Sequence, residues 1–218
     1  MIWAIKDKEK IKATPKEKAK CPICNSDVIA KCGRIKVWHW SHKSNKDCDN
    51  WYEPESEWHL DWKEEFPIEQ QEFTMGKHRA DIRTSNRWII ELQNSSISSN
   101  EIKEREEYYK RMIWLLNGKT IAKNLIIKKI KENNILTFLW KWYPKSWDDC
   151  KKEIYIDLGI YERKYKKEHL ILLIKKVYEN VSTRYFGSYD FQEIVEKRRP
   201  YSGYGKLITK EDFLKKFK

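Results

Sequence analysis

Asp81, Glu91 and Gln93 stand in the spacing D-x9-E-x-Q. Hydrolysis of a phosphodiester needs a divalent cation to neutralise developing charge and to activate water. Mg²⁺ is held by one or two carboxylates together with substrate phosphate. Two strands carrying Asp81 and Glu91 side by side would make such a cradle for Mg²⁺ or Mn²⁺, with Gln93 as a third group beside it. A solvated strand face can carry the same bare spacing. Here the second strand is otherwise apolar, and polar groups on an inward face are costly without a task. Upstream, Glu55, His59 and Lys63 recur at i, i+4 and i+8 and share one helical face. They are candidate catalytic groups, or a surface ion-pair ladder. Arg79, Asn94, Ser95 and Arg105 flank the centre and are candidate phosphate contacts for DNA. Arg105 also follows Glu101 by four residues, so a helix ion pair explains it equally well.

A second constellation reads C-x2-C-x14-H-x2-H-x5-C, through Cys21, Cys24, His39, His42 and Cys48. Two thiolates on a CxxC turn grip one ion and a second pair closes a tetrahedron, the pattern of structural Zn²⁺. Five candidates compete for four places. Cys21 and Cys24 are the firmest, His42 with Cys48 is the first choice for the other pair, and His39 with His42 the rival. On a strand His39 and His42 would point differently, so only one would face the ion. A redox CxxC would open a helix in a βαβ setting, which is not the pattern here. The five cysteines are an odd number, against a disulfide framework.

These residues need elements to position them. Val28–Ala30 and Lys36–Trp40 are strand candidates within a small module over residues 1–50. Residues 55–66 read as a helix, with Trp58, Trp62 and Phe66 four apart. Residues 79–93 read as a hairpin around Ser85-Asn86, with Trp88, Ile90 and Leu92 on one face and Ile89, Glu91 and Gln93 on the other. Ser98 to Glu101 fits a capping box for a helix whose buried stripe is Ile102, Tyr109 and Met112. Ile113–Leu116 then reads as a strand ended by Asn117-Gly118. Helix, hairpin, helix and strand make an α/β core over residues 51–118. In residues 119–218, Leu136–Trp142 and Glu153–Leu158 are strand candidates and Glu168–Asn180 an amphipathic helix. The Gly-rich stretch from Tyr201 to Lys206 precedes a short helix from Lys210.

The 218 residues suffice for one core plus an appendage. Aromatic content of 14%, including eleven Trp, argues against a disordered chain. No apolar run reaches the roughly 20 residues of a membrane helix, and the first residues lack a signal-peptide pattern, so a cytoplasmic protein is expected. The net charge of +12 favours a polyanionic partner, although lysine-rich solvated faces produce the same balance.

Taken together, Cys21-Pro-x-Cys24, His39-Trp-Ser-His42, Glu55-Ser-x-x-His59-x-x-x-Lys63, Arg79-Ala-Asp81-Ile, Ile90-Glu91-Leu-Gln93-x-Ser95 and Arg105-x-x-x-Tyr109 resemble the competence protein CoiA family. The order and spacing match over roughly residues 1–118, and only loosely beyond. The resemblance implies a zinc-bearing N-terminal segment and a PD-(D/E)XK restriction-endonuclease-like core, a mixed sheet flanked by helices, with a C-terminal α/β extension. It places catalytic roles on Asp81, Glu91 and Gln93, with Glu55 as the helix acid. Gln93 replaces the lysine of the usual E-x-K motif, and Lys63 is the candidate for that role. The implied activity is metal-dependent cleavage of single-stranded, double-stranded or branched DNA, in processing before recombination, in a mobile element or in defence, with recombination proteins as partners. The alternative is a zinc-containing protein whose core binds DNA without cutting it.

Overall fold

The computed structural model describes residues 1–43, 48–51, 53–130, 132–163, 166–179, 181–186, 193–198 and 200–218. The N-terminal strands β1 (Trp3–Lys6), β2 (Glu9–Lys12), β3 (Lys18–Lys20), β4 (Asp27–Lys31) and β5 (His39–His42) form a five-stranded sheet in the order β2-β1-β3-β4-β5. Ala4, Ala19, Val28 and Trp40 bury its inner face. The strand expected at Lys36–Trp40 lies at His39–His42 instead, pairing antiparallel to β4 with His42 opposite Val28.

The helix α1 (Glu57–Lys63) follows, shorter than the expected 55–66. Its start is fixed by His59, whose Nδ1 accepts from the Ser56 backbone N–H at 3.2 Å. Pro67 lies just beyond its end, where it favours an extended predecessor over continued helix. Next come β6 (Gln71–Met75), β7 (His78–Arg83), β8 (Ile89–Gln93), α2 (Ser99–Tyr109) and β9 (Met112–Asn117). Ser98 caps α2 by accepting from Glu101 N–H at 3.1 Å, as the sequence suggests. Met112, expected on the stripe of that helix, lies instead in β9, because α2 stops at a positive-φ Lys110.

The rest of the chain adds β10 (Leu125–Ile130), β11 (Ile135–Trp140), β12 (Ile154–Arg163), β13 (Lys166–Tyr178), β14 (Val181–Phe186), β15 (Glu193–Arg198), β16 (Tyr201–Thr209) and α3 (Lys210–Phe217). One nine-stranded sheet runs β10-β11-β16-β13-β12-β9-β8-β7-β6, and β14 pairs with β15 apart from it. The pairs β8–β9 and β9–β12 are parallel and the other pairs in this sheet antiparallel. The fold is thus a mixed α/β arrangement with a large mixed sheet and few helices. α1 through Trp62, the turn after it through Phe66, and α3 through Phe213 and Phe217 cover one face against Ile90, Leu92, Tyr155 and Ile171. On the other face, Ile102 and Tyr109 of α2 pack with Ile89, Trp114 and Leu116.

The helix expected at Glu168–Asn180 is instead the strand β13; Asn180 itself lies outside the described residues. Leu170, Ile171, Leu172 and Leu173 are all buried, because the sheet is covered on both faces there. Such a run erases the period-2 alternation that would have marked a strand. The Gly-rich stretch is strand β16, where glycine is required by close packing. A Cβ at Gly205 would sit 2.5 Å from the Leu173 carbonyl oxygen, and one at Gly203 would sit 2.3 Å from the Phe138 ring.

Candidate functional site

The CxxC turn follows β3. Cys21 N–H donates to Ser26 O at 2.9 Å and Asn25 N–H to Cys21 O at 3.0 Å. Asn25 adopts φ 55°, a left-handed turn that Asn tolerates. The Ile23 N–H lies 3.4 Å from Cys21 Sγ. Cys21 Sγ is 3.6 Å from Cys48 Sγ, and His42 Nε2 lies 3.3 Å from Cys24 Sγ and 3.7 Å from Cys48 Sγ. The four ligand atoms lie within 4.8 Å of one another. Zn–S bonds of about 2.3 Å imply tetrahedral edges near 3.8 Å, so the set fits a tetrahedral ion such as zinc. Burial works to raise the Cys24 thiol, but hydrogen bonds with Ser26, His42 and Cys21 outweigh it and bring it down to about 6. Burial beside Cys21 and Cys24 pushes Cys48 up to about 12. Of the five sequence candidates, His39 stands apart: its Nδ1 lies 2.8 Å from Val37 O, since residues three apart on a strand point to opposite faces.

The acidic centre sits in a fork of the large sheet. β7 and β8 pair at Arg83–Ile89 and Ile82–Ile90, and then part. Past that point side chains take over the ladder's work. Leu92 N–H donates to Asp81 Oδ2 at 2.9 Å, and Asp81 N–H to Glu91 Oε1 at 3.3 Å. The His59 Nε2 lies 3.3 Å from Leu92 O, so His59 ties α1 to the open edge of β8. His59 thereby spends both ring nitrogens, one on the cap of α1 and one on β8.

Lys63, from the same face of α1, reaches Glu55 at 2.8 Å, Asp81 at 3.1 Å and Glu72 at 3.4 Å. Its ammonium is almost wholly buried, and three carboxylates hold its pKa up against burial. On the far side Arg105 donates to Glu91 Oε2 at 2.7 Å, to Glu101 at 2.5 Å and to Trp51 O at 2.7 Å. Burial pushes the Glu91 carboxyl up to about 8, with Arg105 pulling against it and Asp81 adding to it. Asp81 moves the other way: burial would raise it, but Lys63 and His59 hold it below the usual range. The two carboxylates that share the fork are thus driven apart. Gln93 donates its amide to Glu53 Oε2 and to Ser95 O, both at 3.1 Å. A polar cavity of about 20 Å³ is lined by Glu53, Glu55, Asp81, Glu91, Arg79 and Arg105, among others.

Residues 4–50 match the N-terminal domain of competence protein CoiA. Over those residues the chain is similar to the CoiA family. A stretch of 104 residues is 28% identical to competence protein CoiA of Bacillus subtilis (strain 168), covering 42% of this chain and 28% of that protein. The match therefore spans little more than a quarter of the relative's length. No solved structure matches this CoiA-like chain.

The proposed phosphate contacts of the CoiA-like chain are placed unevenly. Arg79 is largely buried, 3.8 Å from Glu72, and Arg105 is committed to Glu91. Asn94 accepts from Asn117 Nδ2 at 2.7 Å and lies at the carboxyl end of β8. Sequence reasoning missed three acids. Asp49 accepts from Arg79 N–H at 2.9 Å and pairs with His78. Glu53 accepts from Gln93. Glu72 accepts from Ile2 and Trp3 N–H at 2.8 and 3.0 Å, tying the N-terminal sheet to the acidic centre. Glu72 lies within β6 at φ 44°, where pairing with β7 is interrupted although the register on either side is unchanged, so strand alternation does not describe it. No helix among the described residues is long and apolar enough to cross a membrane.

Proposed function

We propose that this CoiA-like chain is a metal-dependent DNA nuclease of the PD-(D/E)XK type. The observation that carries the reading is the fork, which sets Asp81 and Glu91 against each other with Lys63 delivered from α1 and Glu55 from the chain just before it. The fit to a divalent ion rests on spare acceptor capacity. Glu53 Oε1 and Gln93 Oε1 are buried without a hydrogen-bond partner, and a carboxylate oxygen engaged once keeps a second lone pair. Asp81 and Glu91 would hold Mg²⁺ or Mn²⁺, which when bound supplies charge neutralisation and an activated water. Lys63 is the candidate for the role of the E-x-K lysine: its ammonium sits 3.1 Å from Asp81 and can orient a water or a phosphate oxygen. Gln93 keeps Glu53 and the Ser95 backbone in register beside it.

DNA as the partner is supported by the placement of charge. Residues 119–218 hold 24 of the 45 Lys and Arg but only 13 of the 33 Asp and Glu. Cations displaced from phosphates by such a surface supply binding free energy.

One observation favours a second reading, DNA binding without cleavage. Lys63 and Arg105 already neutralise the carboxylates, and the acids do not converge as the Cys/His ligands do. Incubating zinc-loaded protein with single-stranded, double-stranded and branched DNA in Mg²⁺ or Mn²⁺ separates the two. Cleavage of any of them supports the nuclease; binding of all without cleavage puts the second reading in its place.

A further inference from the structure

A cleft of about 500 Å³ lies on the opposite flank of α1 from the acidic centre. Its floor is Asp157, which is buried and accepts four hydrogen bonds. Trp58 Nε1 and Trp62 Nε1 each donate at 2.7 Å, His169 Nε2 at 2.6 Å and Gly159 N–H at 2.8 Å. A bulge between Asp157 and Gly159, with Gly159 at φ 80°, turns the carboxylate into this position. Bulges of this kind re-aim side chains near functional sites. The result is an indole held rigidly by its nitrogen. Lys210 covers the Trp62 ring at 4.6 Å, whereas Trp58 is partly exposed and among the described residues its only ring neighbour is His59, edge-on at 5.3 Å.

Four acids, Asp61, Glu64, Glu65 and Asp157, line the cleft against the cations Lys119 and Lys210, with His169 beside Asp157. Glu65 pairs with Lys210 at 2.8 Å, Glu64 with Lys12 at 3.3 Å and Asp157 with His169. Asp61 stands exposed on the rim, and Lys119 is exposed at the mouth. Asn117, at the carboxyl end of β9, lines the cleft and joins Asn94, the residue after Gln93. Cleft and acidic centre are therefore neighbours along the carboxyl ends of the parallel strands, where open α/β sheets place ligands.

We propose that this cleft receives an unpaired nucleotide of bound DNA, its base stacked on Trp58 and its phosphate within reach of Lys119, which Asn117 holds at the mouth by accepting its backbone N–H at 3.0 Å. The proposal rests on the DNA reading above and deepens it: the substrate class becomes DNA with a single-stranded element. A base offers a π-face whatever its sequence, which suits a fixed indole, and a cleft lined by Asp61, Glu64 and Glu65 suits an uncharged base better than a duplex backbone. A base pair inside a helix could not enter.

The test is binding of zinc-loaded full chain to a short labelled single strand and to a blunt duplex of the same sequence, without divalent ions. Wild type is expected to prefer the single strand. Trp58→Leu is expected to lose about tenfold on the single strand, since one stacked base contributes about 1–3 kcal/mol, with duplex binding unchanged. Trp58→Phe, which keeps a ring, is expected to retain most of the affinity. Lys119→Glu alters only the exposed mouth and is expected to weaken single-strand binding, which keeps the test open should Trp58→Leu fail to fold. Equal single-strand affinity in folded Trp58→Leu and Lys119→Glu overturns the cleft while leaving the DNA reading intact. Wild type that binds no DNA overturns both.

Discussion

The Cys/His cluster and the acidic centre both gather ligand-type side chains, but they solve the charge problem in opposite ways. Cys21, Cys24, His42 and Cys48 converge on one point, with a thiol pulled down and another pushed up, and among the described residues no cation stands between them. Such a set is complete only around an ion. The acidic centre is interleaved with its own cations: Lys63 sits among Glu55, Glu72 and Asp81, and Arg105 closes Glu91. That centre can fold without a metal. A closed cluster is the design of a structural site; on the nuclease reading proposed above, the fork with its spare lone pairs would take its ion reversibly.

The strongest break in this comparison is removal of the cluster's ion. Structural zinc in small modules contributes about 10–16 kcal/mol of apparent binding free energy, which is folding free energy. Cys21→Ala or chelation is expected to unfold the N-terminal sheet, and elemental analysis is expected to find one zinc per chain. Folded, soluble protein without zinc would remove this half of the contrast. Glu91→Ala should keep its zinc, since the two sites share no ligand.

Next in size is Lys63. Lys63→Ala leaves buried carboxylates uncompensated, and breaking a buried pair in this way costs about 3–5 kcal/mol. Denaturant unfolding is expected to show that loss, partly restored by millimolar Mg²⁺ or Mn²⁺ if the ion can stand in for the ammonium. A loss below 1 kcal/mol would mean that the centre is not held together by this cation.

Asp157 sharpens the comparison as a carboxylate that is satisfied without metal. Burial would raise its pKa, but His169, Trp58 and Trp62 hold it below the ordinary value. A depressed folded pKa gives stability that is present above the usual carboxylate range and is lost as pH falls through the folded value. Asp157→Asn is expected to cost about 1–3 kcal/mol at neutral pH and to flatten the acid limb of the stability curve, with no change in response to divalent ions. An unchanged acid limb would contradict the assigned hydrogen bonds. The smallest effect is expected at Gln93, where Gln93→Ala should slow cleavage modestly and leave zinc content and stability within about 1 kcal/mol.

Much of the fork was legible because alternation is a local rule. It put Glu91 and Gln93 on one face and Ile90 and Leu92 on the other, and the four-residue spacing of Glu55, His59 and Lys63 aimed them together although α1 is short. The strand geometry also separated His39 from His42. What was not legible depends on contacts distant in sequence. Glu72 joins the centre from a positive-φ position in β6 and through Ile2 and Trp3, some 70 residues away. Glu53 and Asp49 lie in irregular chain before α1, where no periodicity speaks. β13 was misread because Leu170–Leu173, buried on both faces, lacks a strand's alternation and passes for the apolar side of an amphipathic helix, and Asp157 gains its role only when β12 and β13 are placed beside α1.

Cleavage by Asp81→Asn protein, at wild-type zinc content, tests the acidic centre most directly. Asn keeps the shape and can still meet Leu92 N–H, but it cannot share a divalent cation with Glu91. Wild type is expected to cut DNA with Mg²⁺ or Mn²⁺, and Asp81→Asn to bind DNA as well or better while cutting at least a hundredfold more slowly, a difference of about 2.7 kcal/mol in activation free energy. Wild-type cleavage rates in the zinc-replete variant would contradict the assignment of the fork as the nuclease centre.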